Sequence, residues 1–255
     1  AIDAIRDFVK KGGKAAILVE PERKEPYPNL TDLLKEWNIQ TAKDIVVDDS
    51  GMGQLFGTGP LTPLILQYPY HEISKDFRLA TAFHTARSVQ AGTATVEGVT
   101  VQNLVETSAQ SWAETDLTLK EPVELNEGKD RKGPISLGAV ATIRIPEASP
   151  APSPSPAADS AEPKPPKPEG RVVAFGDSDF ASNALLGFQG NKDFVLNTVA
   201  WLAQDLDLIS IRPKDPEDQK LFLTPVQQGN VAWLSLVLLP GLFVVLGIAT
   251  WWRRR

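Results

Sequence analysis

The strongest constraint on this chain lies at its C-terminal end. Val231 to Trp252 is a run of 22 residues without a charge, followed directly by Arg253, Arg254 and Arg255. As a helix the run reaches about 33 Å, enough to cross a hydrocarbon layer of about 30 Å. Trp233 stands near one end and Trp251 and Trp252 at the other, where indoles favour the headgroup region. A buried core helix would want polar flanks and more domain after it. The expectation is therefore a transmembrane anchor, with the arginines cytoplasmic by the positive-inside rule and everything before Val231 outside, in the periplasm if the cell is diderm. Pro240-Gly241 in mid-run is tolerated in lipid and is a place for a kink.

Composition narrows the outer part. Without its three terminal arginines the chain has 23 Lys+Arg against 32 Asp+Glu, a net charge of −9. That balance argues against nucleic acid and against polybasic lipid binding. There is no cysteine, which removes disulfides, zinc-thiolate sites and thiol catalysis together. The first residues, AIDAIRDFVKKGGK, contain neither an initiator Met nor an apolar leader. The expectation is a C-terminal portion of a longer protein, its domain incomplete on the N-terminal side.

Periodicity points to an α/β domain over residues 1–204. Ile2, Ile5, Phe8 and Val9 share a helical face between Ala1 and Lys11, and Gly12-Gly13 ends that helix. Lys14–Val19 is a short apolar run, hence a buried strand. A second helix is expected over Thr31–Trp37 with Thr31 as N-cap, and a strand over Asp44–Val47. Shorter strands are expected at Leu64–Leu66, Leu79–Phe83 and Val101–Thr107, and a longer one at Ala139–Ile145. Arg171–Phe175 is a further buried strand. It precedes a helix over Lys192–Ala203 capped by Asn191, on which the stripes Phe194/Thr198/Trp201 and Val195/Val199/Leu202 make a wide buried face. Nine of the 24 residues in 146–169 are proline, so this stretch is expected to be a disordered loop inside the domain. Residues 205–230 read as a polar connector to the apolar helix.

Three motifs invite chemistry. Gly176-Asp177-Ser178-Asp179 follows the Arg171–Phe175 strand, where open α/β sheets bind ligands. Asp177 and Asp179 could hold a cation and Ser178 could be a nucleophile, as in serine esterases with a GDS signature. That mechanism needs a histidine base, and the two histidines, His71 and His84, both lie far upstream with no Asp-x-x-His after the serine. The structural alternative is a tight turn at Gly176 with aspartates capping the next segment. GMGQLFGTGP at 51–60 lacks the GxxxxGK[ST] of a phosphate loop and reads as a flexible loop. His71, with Glu72 beside it, and His84 lack the spacing of a zinc motif.

Taken in order, several stretches resemble one family: AIDAIRDFVKKGGKAAILVEP at 1–21, LTDLLKEWNIQ at 30–40, DIVVDDS at 44–50 and HEISKDF at 71–77. SAQSWAETDL at 108–117, RVVAFGDSDF through SIRP at 171–213 and the terminal WWRRR complete the set. Together they resemble the extracytoplasmic auxiliary subunits of ABC transporters of the type first associated with gliding motility (GldG-like). The resemblance implies a three-layer α/β/α sandwich similar to class I glutamine amidotransferases, whose cysteine nucleophile this chain lacks. It also implies a non-catalytic accessory role without a cofactor, beside a permease subunit and a cytoplasmic ATPase subunit. Two readings stand against it: a membrane-tethered hydrolase using Ser178 or a cation held by Asp177 and Asp179, and a sensor of envelope ligands using exposed Trp and Tyr.

Overall fold

The computed structural model describes residues 1–22, 26–119, 123–145, 169–204, 229 and 232–255. Helix α1 (Ile2–Lys10) ends where Gly12 takes a left-handed φ of 94°, and β1 (Lys14–Leu18) follows. Helix α2 spans Pro28–Glu36. It starts earlier than its apolar residues imply, because Pro28 sets the helical φ at the first position. Thr31 is therefore no cap, and its hydroxyl donates back to the Pro28 carbonyl. Then come β2 (Ile39–Thr41), β3 (Ile45–Asp48) and the short helix α3 (Met52–Leu55). The stretch expected as a flexible loop thus contains a helical turn, entered through Gly51 at φ 74°.

Small strands follow: β4 (Leu64–Ile65), β5 (Thr81–Ala82) and β6 (Val89–Ala91). Next are β7 (Val99–Glu106), β8 (Ser111–Glu114), β9 (Arg131–Lys132), β10 (Ser136–Arg144) and β11 (Glu169–Phe175). A 3-10 turn, Asp179–Ala181, leads toward α4 (Asn191–Ala203).

The principal sheet runs β1-β11-β10-β6-β2, with β7 also paired to β10. β1 and β11 are parallel, while β10 is antiparallel to both β11 and β7. β10 and β11 pair from Gly138↔Phe175 to Arg144↔Glu169, so the chain leaves and re-enters neighbouring strands around the Pro-rich segment. Glu169 itself belongs to β11; the rest of that segment, 146–168, and residues 205–228 of the connector lie outside the described residues.

Alternation along β10 and β11 feeds two cores. Ala139, Ala141, Ile143, Val172 and Ala174 pack with Val9 of α1, Leu33 and Leu34 of α2, and Trp37. Leu137, Val140, Val173 and Phe175 pack with Phe194, Ala200, Trp201 and Leu202 of α4. Both faces are apolar because both are covered, which explains the continuous run VVAF. Helix α4 buries a narrower face than its sequence implies: Leu196 and Val199 are both 54% exposed.

At the C-terminal end a π-helical turn, Leu234–Leu238, passes into helix α5 (Leu239–Arg253). Pro240 has no N–H to return to the preceding turn, and the wider turn accommodates it. The span Leu234–Arg253 has a mean hydropathy of 2.2 and none of it is buried. By length and composition it is the helix among the described residues that is able to cross a membrane.

Candidate functional site

The parallel pair β1/β11 ends side by side, with the Val19 N–H donating to the Phe175 carbonyl (2.8 Å). From these ends emerge Glu20 on one strand and Gly176-Asp177-Ser178-Asp179 on the other. Gly176 is pressed against the backbone before β6: Arg87 N–H donates to its carbonyl (2.8 Å), and its own N–H donates to Leu137 (2.9 Å). A Cβ on Gly176 would stand 1.9 Å from the Arg87 carbonyl oxygen. Glycine is required here by contact, since no side chain fits between two backbones.

Asp177 is fully buried. Its Oδ1 accepts the Asp179 N–H (2.7 Å), and its Oδ2 accepts those of His84 (3.0 Å) and Phe180 (3.2 Å). Burial pushes its carboxyl up to about 7, against the pull of these donors and with the help of nearby Glu20 and Asp179. Ser178 donates its N–H to Glu20 Oε1 (2.7 Å). Phe180, also buried, stacks on Phe83 at 4.7 Å and leans on Phe175 at 4.9 Å. The loop is thus capped by Asp177 above and nailed by an aromatic below.

Among the described residues neither histidine ring is hydrogen-bonded to Ser178. The His84 backbone serves Asp177, but its ring Nδ1 lies 2.8 Å from the Thr62 hydroxyl. His71 packs edge-on against Trp201 at 5.0 Å, and the Trp201 carbonyl accepts from Arg171 at the beginning of β11. Ser178 follows the other end of that strand, about 13 Å along at a strand's rise per residue. Burial also lowers the His71 pKa to about 4, so the ring is neutral near pH 7. Among the described residues no group of three or more His, Asp or Glu is arranged to hold a metal ion.

Periodicity missed two neighbours of the loop. Arg87 is 1% exposed and pairs at 3.3 Å with Glu22, whose side chain is 5% exposed. Its guanidinium also donates to the carbonyls of Ala42 and Glu20 and to the Tyr27 hydroxyl. Among the described residues Glu22 Oε2 accepts no hydrogen bond, although the Lys43 ammonium lies 3.5 Å away, within ion-pair range. A lone arginine among small residues carries no periodic signal of burial.

Asn191, expected to cap α4, is instead its first residue and buried. Its Oδ1 accepts the Ala82 N–H (2.9 Å), and its Nδ2 donates to the carbonyls of Ala82 (3.0 Å) and Phe180 (3.2 Å). It joins β5 to the 3-10 turn. The sequence signal, a polar residue before an apolar helical run, cannot separate a cap from such a pin.

A family described as an ABC-type uncharacterized transport system, an auxiliary component by its name, matches residues 1–198. The chain belongs to this family. Five chains of solved structure also match. One is the mmIFT52 N-terminal domain, at 14% identity and a TM-score of 0.49, over 79% of this chain and 69% of that one. A search of curated proteins found no match. The family match spans the strands that carry the loop and most of α4.

The ligand-sensor reading needs correction on one point. Trp37, Trp112 and Trp201 are all buried, Trp37 and Trp201 within the two cores that flank the sheet. The exposed tryptophans are those of the apolar C-terminal helix, and Tyr70 is the exposed tyrosine of the domain.

Proposed function

We propose that this protein is a non-catalytic, membrane-anchored accessory subunit of an ABC transport system, of the GldG-like type. The match of residues 1–198 to the transport family carries this reading. The exposed apolar helix ending in three arginines supports anchoring in the cytoplasmic membrane with the domain outside. Its partners are a permease subunit, against which the helix packs, and a cytoplasmic ATPase subunit that supplies the energy. We divide the chain into a domain over 1–204, a connector over 205–230 and the anchor over 231–252. Helices over both faces of one sheet support a sandwich similar to the glutamine amidotransferases, although the antiparallel β10 departs from a wholly parallel sheet.

A non-catalytic role is supported by the lack of cysteine and by the partners of the two imidazoles, Thr62 for His84 and Trp201 for His71. The site residues Gly176, Asp177, Ser178 and Asp179 act on this reading as a shaped surface loop. Affinity purification of the tagged chain from native membranes tests the proposal. Co-elution of a permease and an ATPase is expected; elution without either refutes it. For the competing hydrolase, Ser178→Ala is decisive: an ester-hydrolysing activity lost in that variant would replace the accessory reading.

A further inference from the structure

The loop at the end of β11 is closed by one carboxylate that accepts three N–H groups from two chain segments. Asp177 accepts from His84 in the segment after β5, and from Asp179 and Phe180 in its own turn. The neighbouring Ser178 N–H ties the same loop to Glu20, just after β1. Release of Asp177 therefore frees the β11 loop from the segment after β5, leaving Ser178 on Glu20 as its tie to the end of β1.

The charges around it are unbalanced. Glu20 and Asp179 are both acidic and both disfavour a second negative charge beside them. Arg87 comes close only through its backbone, since its guanidinium is committed to Ala42, Glu20, Glu22 and Tyr27. The His84 ring is turned to Thr62. Helix α4 contributes the neutral amide of Asn191, bonded to the Phe180 carbonyl. No cation among these bonds neutralises Asp177.

We propose that Asp177 is a proton-operated clasp between the loop at the C-terminal end of β11 and the segment after β5: it holds the two together while protonated and loosens them as it ionises. The direction follows from linkage. In the closed form burial raises the carboxyl to about 7 from the ordinary 3.8, to which an opened, hydrated loop returns it. The closed form then binds more protons between these limits. Its advantage is complete below the lower value and falls as pH rises, by up to about tenfold per unit, until the upper one. A loop so placed would present a different surface to a partner in acidic and in neutral surroundings.

Amide hydrogen exchange on the full chain in detergent micelles, corrected for the intrinsic pH dependence, reads the clasp at His84, Asp179 and Phe180. Between pH 5 and pH 7 the opening equilibrium should rise about 50-fold in the wild type. In Asp177→Asn it should be flat over the same range. A flat wild type, or an equal slope in Asp177→Asn, overturns the proposal. If Asp177→Asn does not fold, Glu20→Gln decides. Removing that charge should move the midpoint to lower pH while keeping the slope, and an unmoved midpoint overturns the clasp. A direct carboxyl NMR titration of the wild type that puts Asp177 near pH 4 overturns it as well.

Discussion

Gly176 and His71 show how single residues at opposite ends of β11 are constrained by different physics. At Gly176 the limit is contact between two backbones, with 1.9 Å left for a methyl group. Gly176→Ala is expected to cost about 3 kcal/mol or more, since neither backbone can yield without breaking its hydrogen bonds. A fall in the thermal midpoint of the purified chain measures it. At His71 the limit is hydration. Burial disfavours the imidazolium, so the folded chain protonates the ring only near pH 4. The unfolded chain takes that proton near the ordinary 6.5, so stability is full above this value and declines as pH falls toward 4. With the ring still partly solvated, about 1–2 kcal/mol should be lost between pH 7 and pH 4.5. Asp177 acts with the opposite sign in part of this window, so denaturation of wild type against His71→Asn isolates the histidine. In that comparison the acid-induced loss should shrink in the variant.

Among the elements, α4 links the site to the core. Its buried stripe of Phe194, Thr198 and Trp201 faces β10 and β11, and Phe194 meets Phe77 at 5.3 Å and Tyr68 at 5.4 Å. Phe194→Ala should cost about 3–5 kcal/mol in chemical denaturation, the usual penalty for a buried phenylalanine. Val199→Ala, on the exposed side, should change stability by less than about 0.5 kcal/mol. Equal effects would mean that another surface covers Leu196 and Val199. The same helix begins with Asn191, whose three hydrogen bonds hold β5 and the 3-10 turn. Asn191→Ala strands two buried backbone carbonyls and one N–H, and should cost about 3 kcal/mol while speeding exchange in the 179–181 turn.

For the molecule as a whole, the decisive contrast lies between an acidic domain with buried apolar cores and a helix whose apolar residues face outward. Deleting residues 229–255 should convert a protein that resists alkaline extraction of membranes into a soluble one. The denaturation behaviour of the domain should hardly change, because no residue of the helix is buried against it. Persistence of the truncated chain in the membrane fraction would relocate the anchor.

The local pattern foretold the elements whose burial is local. The apolar C-terminal run, the GG stop after α1, the strand VVAF and the Phe194 stripe on α4 are legible from spacing, because hydropathy repeats with the geometry of the backbone; KAAIL is the expected strand, but at the sheet edge only its Ile17 is buried. Strands β2, β6, β8 and β9 escaped notice, being two to four residues long with polar members, as in Ser-Trp-Ala-Glu of β8. Their stability comes from the strand alongside rather than from their own alternation. The loop Gly176–Asp179 was legible as a special turn beyond a strand, but its chemistry was not. Whether Asp177 faces water or is sealed under three N–H groups depends on His84, nearly a hundred positions earlier in the chain. The same holds for Arg87 and Glu22, and for Asn191 and Ala82. Sequence alone determined which segments are apolar enough to be buried or to enter a bilayer. Only the tertiary structure decided which polar groups are buried with them, because that follows from how distant segments cross.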